Sequence, residues 1–354
     1  MIDNELHEWE NLIRNWALDL GFVRAGFTTS DELTGLALVL KQRQLEGWAT
    51  PFESVNYHQR TNPRTIWPAC QSVAALAYPI TLSTGAGKGE GSIARSAVGA
   101  DYHIIMTGKI QTLIQLMIAH NWPGAKPRFQ VDTGPLVERA FAARAGLGWL
   151  GRNRQLIVPG YGSFVALSLI LFDQPLPADL PLTNCCGTCR ACVDACPAAV
   201  LGQQDYNGQR CISYLTQSKE PLMTDQRALL NGRIFGCDTC QEVCPYNKER
   251  LNAEPLQNDY EQQCRGNEAI KDFDSYPHRG VDLWQTLNMS KQEFQDRFKF
   301  TAAGWRGKTV LQRNALLALR QIGDPGLSAW ETKQKEAVNL SPLLRPYLDS
   351  ADSN

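Results

Sequence analysis

Two cysteine runs constrain this chain more than any other feature. The first is Cys186-Gly-Thr-Cys189-Arg-Ala-Cys192-Val-Asp-Ala-Cys196-Pro197, which has the C-x2-C-x2-C-x3-C-P spacing of two-cluster bacterial ferredoxins. The second is Cys237-Asp-Thr-Cys240-Gln-Glu-Val-Cys244-Pro245, and Cys211 stands between the two. Together they offer eight thiolates, the number that two [4Fe–4S] clusters require. In two-cluster ferredoxins the Cys before Pro ligates the other cluster. That crossing assigns Cys186, Cys189, Cys192 and Cys244 to one cluster, and Cys211, Cys237, Cys240 and Cys196 to the second. A zinc site would use two spaced pairs and leave a third Cys and a Cys-Pro end surplus. Disulfides would need an oxidising compartment and cramped neighbours. Cys70, Cys185 and Cys264 fall outside the pattern and read as buried or spectator thiols.

The remaining composition is that of an ordinary globular protein. A chain of 354 residues, 43% hydrophobic and 20% charged with a formal net charge of -1, has room for about two or three domains. No overall basic excess draws it to nucleic acid, so such a partner must be met by a local patch. The acidic start, Met1-Ile-Asp-Asn-Glu-Leu-His-Glu-Trp-Glu, lacks the basic and apolar regions of a signal peptide. The longest apolar run, 164–172, is of strand length and well short of the ~20 residues that cross a bilayer. The expectation is a soluble cytoplasmic monomer with no membrane partner.

Periodicity places the other motifs. Leu6, Trp9, Leu12, Ile13, Trp16 and Leu20 recur at helical spacing before Gly21 and a strand-like 22–27. A helix is expected over 33–46, a polar loop able to cover a ligand over 47–64, a buried strand over 72–79 and a loop over 85–91. The polar group Asp101-Tyr102-His103 introduces a helix expected from about 104 to 120. Strand-like Phe129-Gln-Val-Asp132 turns at Gly134-Pro135 into a helix expected over 136–145, with Pro135 in its first turn. Residues 164–172 form the clearest strand. Toward the C-terminus, helices are expected over 283–300 and 308–321, with Arg297, Lys299, Arg306, Lys308 and Arg313 making a basic patch. Arg313-Asn-Ala-Leu-Leu-Ala-Leu-Arg-Gln-Ile-Gly-Asp324-Pro325 reads as one unit of a HEAT-type repeat, which must dock on the rest because a single unit cannot bury its apolar face.

These motifs, in this order, resemble the epoxyqueuosine reductase family over nearly the whole chain. The resemblance is carried by Ile93-Ala-Arg95 with Asp101-Tyr102-His103, by Val131-Asp132-Thr-Gly134-Pro135 through Glu138-Arg139, and by Gly148-Trp-Leu-Gly151-Arg-Asn153. Both cysteine runs, Cys211-Ile-Ser213-Tyr214-Leu-Thr216 and the HEAT-like end complete it. The chain departs from the family pattern around 47–64 and at Ser96-Ala-Val-Gly-Ala100.

The resemblance implies an α+β fold with a nitroreductase-like cobalamin-binding domain over 1–175, a ferredoxin-like two-cluster domain over 176–260 and a helical HEAT-like segment over 261–354 that meets tRNA. It also implies removal of the epoxide oxygen of epoxyqueuosine at the wobble position of tRNA, with electrons from an external low-potential donor such as flavodoxin or ferredoxin. Asp132 maps onto the family's proton donor, and burial near an apolar corrin face would raise its pKa. Read without the resemblance, Asp132 is in the first place a turn-stabilising aspartate before a helix. Arg95, Asn153, Ser163, Ser213, Tyr214 and Asp238 flank the matched motifs and are candidate partners for cobalamin, while Lys219 joins the C-terminal cations as a candidate tRNA contact. Two other classes compete: a corrinoid reductive dehalogenase, which usually carries a twin-arginine signal, and a non-catalytic electron carrier.

Overall fold

A computed structural model describes residues 2–80, 86–202, 206–252, 279–335 and 341–348; Cys264 lies outside them. The chain forms two compact units rather than the three consecutive domains expected. One comprises Met1–Ile80, Tyr102–Asn207 and Thr239–Arg265, and the other Thr81–Asp101, Gly208–Asp238 and Gly266–Asn354. The interleaving has a backbone cause. The short strand Gly91–Ile93 pairs in parallel with Arg233–Phe235 and antiparallel with Gly280–Val281, so its amides and carbonyls are satisfied only by far later parts of the chain.

The first unit is built on an antiparallel sheet with the order Arg24–Thr29, Ser72–Pro79, Val165–Phe172, Arg128–Val131. The two inner strands are the apolar runs read from the sequence, and residues 72–78 are all buried. Arg128–Val131 lies at the edge, with Val131 opposite Ser168, so Asp132 is the first residue to leave the sheet. Helix Ile2–Asp19 buries Trp9, Ile13 and Ala17 along one stripe. It ends at Gly21, whose φ of 88° suits the left-handed cap. Helix Tyr102–Ala119 begins two residues before the expected start and buries Ile105, Met106, Ile110, Leu113, Ile114 and Met117. The helix expected over 136–145 runs only from Glu138 to Arg144, capped at Val137 without a side-chain bond. Pro135 therefore belongs to the turn before it.

Residues 47–64 are not an open loop. They fold around Glu53, which accepts hydrogen bonds from Arg43 (2.9 Å to each oxygen), Arg60 (2.6 Å) and the Thr50 amide (3.0 Å). Short helices Tyr57–Thr61 and Pro63–Thr65 close the segment. Burial alone would raise the Glu53 carboxyl, but Arg43, the Thr50 amide and Arg60 pull it down to about 2.

The second unit joins its three-stranded sheet to helices Leu283–Asn288, Lys291–Arg297, Lys308–Gln321 and Leu327–Lys335. The single helix expected over 283–300 is broken at Ser290, whose hydroxyl accepts from the Glu293 amide while Glu293 accepts from the Ser290 amide. Helix Lys308–Gln321 is followed by a turn at Gly323, φ 68°, before Pro325 and helix Leu327–Lys335, and Trp284 donates to Asp324 at 3.2 Å. Residues 310–319 are all buried, which gives the lone unit the partner surface it needed. No helix among the described residues is long and apolar enough to cross a membrane.

Candidate active site and cluster-binding cysteines

Asp132 sits where the edge strand ends, in a left-handed backbone conformation with φ 53°. The Thr133 amide donates to the Val131 carbonyl at 2.5 Å across it, which makes a three-residue turn of the rare, strained kind. A non-glycine residue held there costs about 1–3 kcal/mol and persists only where its surroundings over-determine it. The side chain does not stabilise its own turn or cap the following helix, as an ordinary turn aspartate would. It accepts a hydrogen bond from the Tyr102 hydroxyl and lies 3.6 Å from His103 Nε2. Tyr102 and His103 are stacked on each other at 4.1 Å in the first turn of their helix.

The electrostatics divide two carboxyls. Asp132 is 57% exposed, so solvent touches it, yet desolvation by the surrounding protein is the largest influence on its charge. The bonds from His103 and Tyr102 outweigh that influence and hold the carboxyl below its ordinary value. The raised acid expected at Asp132 is found instead at Glu138. Burial first, and then the Asp132 charge, push Glu138 up to about 8. Its carboxyl accepts from Gln130 Nε2, whose amide also bonds both the N–H and the C=O of Leu136. Gln130, inside the strand-like run 129–132, carries no sequence signal that marks it as part of the site.

Cys186, Cys189, Cys192 and Cys244 line one cavity with Arg152, Asn153, Ile157, Pro245 and Tyr246. The scaffold is local: Arg152 donates to the Gly187 carbonyl (2.6 Å), Asn184 accepts from the Cys186 amide (2.9 Å), and Tyr246 donates to the Cys185 carbonyl (2.6 Å). Burial and the neighbouring thiols raise Cys192 and Cys244. The four thiols assigned to the first cluster thus line one cavity. Of the other four, Cys196 and Cys240 belong to the first unit and Cys211 and Cys237 to the second. Cys70 is buried and raised to about 11 by that burial, while Cys185 is exposed.

Of the residues expected around a corrin, Asn153 and Ser163 belong to the first unit and Arg95, Ser213, Tyr214 and Asp238 to the second. Arg95 and Asp238 are buried against each other, with the Arg95 amide 2.8 Å from Asp238 Oδ2 and Arg279 3.8 Å from the same oxygen. Ser163 is buried and bonded to Gln241 and Asn247, and Asn153 is buried and bonded to the Cys240 carbonyl and the Gln155 amide. Ser213 and Tyr214 are only half-buried. Among the cations, Lys219 and Lys299 are exposed, while Arg297, Arg306 and Lys308 are partly buried. Arg313 must be removed from the patch. It is wholly buried and donates to the carbonyls of Ser218, Leu215 and Thr216, because helix Lys308–Gln321 is core along most of its length.

Residues 185–247 match the family described as "4Fe-4S double cluster binding domain", and residues 60–133 match "Epoxyqueuosine reductase QueG, DUF1730". The epoxyqueuosine reductase of Listeria monocytogenes is 36% identical over 327 residues, spanning 87% of this chain and 79% of its own. The chain belongs to the epoxyqueuosine reductase family. The Staphylococcus aureus reductase is likewise 36% identical, over 94% of this chain and 85% of its own. A crystal structure of epoxyqueuosine reductase with an epoxyqueuosine-modified tRNA-Tyr stem loop superposes with a TM-score of 0.85 at 30% identity, covering 97% of this chain and 89% of that one. The Bacillus subtilis reductase, solved with its catalytic aspartate loop swung out of the active site, gives 0.83 at 28% identity over 97% and 89%. These matches are to a mixed α/β reductase that includes a double-cluster segment.

Proposed function

We propose that this protein reduces epoxyqueuosine to queuosine at the wobble position of tRNA, with Asp132 as the proton donor. The observation that carries the reading is the carboxylate itself: a solvent-reached aspartate on a strained turn, bonded to Tyr102 and 3.6 Å from His103, in a chain of this family. The reaction takes two electrons and two protons; both C–O bonds to the epoxide oxygen break, the alkene forms and the oxygen leaves as water. An alkoxide leaves poorly, and proton delivery by a positioned acid is worth ~10²–10⁴ in rate.

In the resting arrangement Asp132 is an acceptor, held ionised by its two neighbours. A substrate that displaces water from the carboxylate adds to its desolvation, which raises proton affinity. The acid thus becomes competent when the site fills. Two [4Fe–4S] clusters, on Cys186, Cys189, Cys192 and Cys244 and on Cys196, Cys211, Cys237 and Cys240, supply electrons singly from an external low-potential donor such as flavodoxin or ferredoxin. Cobalamin enters this reading through kinship, and when bound it would supply low-potential cobalt chemistry. Lys219 and Lys299, with Arg297, Arg306 and Lys308 beside them, are the proposed phosphate contacts.

The test is anaerobic incubation of the cluster-loaded protein with cobalamin, a low-potential reductant and epoxyqueuosine-containing tRNA, followed by nucleoside mass analysis. Queuosine should appear with the parent and be nearly lost with Asp132→Asn, which keeps shape but gives up no proton. Parental turnover by that variant would return Asp132 to a structural role.

A further inference from the structure

The strained turn at Asp132 has to be held by something, and the Asp132 side chain does not hold it. Beneath the turn lies Gln130. Its Nε2 donates to the Leu136 carbonyl (3.0 Å) and to Glu138 Oε1, and its Oε1 accepts from the Leu136 amide (3.2 Å). The amide therefore reads both polar groups of one backbone residue and ties them to a buried carboxyl. Contact is close enough to restrict the chain above: a Cβ on Gly134 would stand 2.1 Å from Gln130 Oε1. At the far end of the loop, the Val137 amide donates to the Arg60 carbonyl at 3.0 Å.

We propose that Gln130 and Glu138 are positioning residues, whose joined side chains clamp the 132–137 loop in the shape that presents Asp132. The kinetic consequence rests on Asp132 being the proton donor; the clamp itself does not. Glu138 is suited to the task because it is buried in a largely neutral form, accepting from Gln130 without setting a second full charge beside Asp132. A residue that only filled the core would alter stability and leave the loop's behaviour unchanged.

Gln130→Met keeps length and removes every hydrogen bond of the amide. In cluster-loaded protein, hydrogen exchange at the Thr133 and Val137 amides should accelerate several-fold. Turnover per iron should fall roughly 10²-fold, the scale of a displaced catalytic group, with KM for tRNA and iron content parental. Glu138→Gln, which preserves an acceptor, should retain parental exchange and turnover at neutral pH, whereas Glu138→Ala should follow Gln130→Met. Gly134→Ala presses on the same amide by a separate route and serves if Gln130→Met does not fold. Parental exchange in the variant used overturns the clamp whatever Asp132 does. Parental turnover in that variant, with Asp132→Asn slow in the same assay, overturns it as well. A fast Asp132→Asn instead removes the proton-donor assignment, and exchange alone then decides the clamp.

Discussion

Two glutamates of the same unit, Glu53 half-buried and Glu138 buried, behave oppositely. Glu53 meets two guanidinium groups and an amide and is held down at about 2; Glu138 meets one side-chain amide and a neighbouring carboxylate and is pushed up to about 8. Burial penalises the charge of both. What separates them is whether full positive charges repay the penalty. The repaid site organises the 47–64 segment, where a ligand-covering loop was expected, and the unrepaid site backs the turn of the proposed acid. In this unit a neutral carboxyl, not an ion pair, marks the functional neighbourhood.

The comparison is sharpened most by Asp132→Asn, which should cost ~10²–10⁴ in turnover while iron content and tRNA affinity stay parental, read by nucleoside mass and binding titration. Glu53→Gln should do the reverse. Leaving Arg43 and Arg60 with a neutral partner should cost about 3–5 kcal/mol of stability, seen as a lowered denaturant midpoint, with turnover per iron unchanged. Slow chemistry in the folded Glu53→Gln protein would break the division of roles.

A pH series tests the two carboxyls by sign. Glu53, depressed on folding, contributes stability that is present above its ordinary value of 4.5 and lost as pH falls toward 2. Glu138 is raised, so between 4.5 and about 8 the folded chain keeps a proton that the unfolded chain has released, and stability falls as pH rises. Relative to its parent, Glu138→Gln should therefore gain stability across that window by up to about 1.4 kcal/mol per pH unit, and a flat difference in chemical unfolding would contradict the raised carboxyl. The smallest effect belongs to the second unit. Reversing Lys219 and Lys299 should weaken tRNA binding and reduce the salt slope by roughly 2. The same reversal at Arg313 should instead unfold that unit, since it would bury a carboxylate against three carbonyls.

How much of this was legible in the sequence follows from the reach of each signal. Cysteine spacing is local chemistry, so the four thiols that line one cavity were readable from a single residue type. The inner strands were readable because a fully buried strand must be apolar throughout. The break at Ser290 was readable too, since Ser-x-x-Glu is a capping box, but the apolar periodicity across it suggested one helix. Gln130 carries no mark: an amide that braces a neighbouring turn looks in sequence like any surface amide. Arg313 misled because a run of cations says nothing about which face of a helix becomes core. The two-unit division was hidden by the Gly91–Ile93 strand, whose three residues are too few to show a period.

The burial of Arg313 also sets an order of events. Its guanidinium and the Asn314 amide hold the carbonyls of Leu215, Thr216, Ser218 and Ile234, the stretch that begins just after Cys211. The partners that bond the 185–187 backbone, Arg152, Asn184 and Tyr246, are all made by residue 246. The surroundings of Cys211 cannot be completed until a much later helix has left the ribosome. The backbone that follows Cys211 is therefore fully bonded only once Arg313 and Asn314, a hundred residues later, have been made.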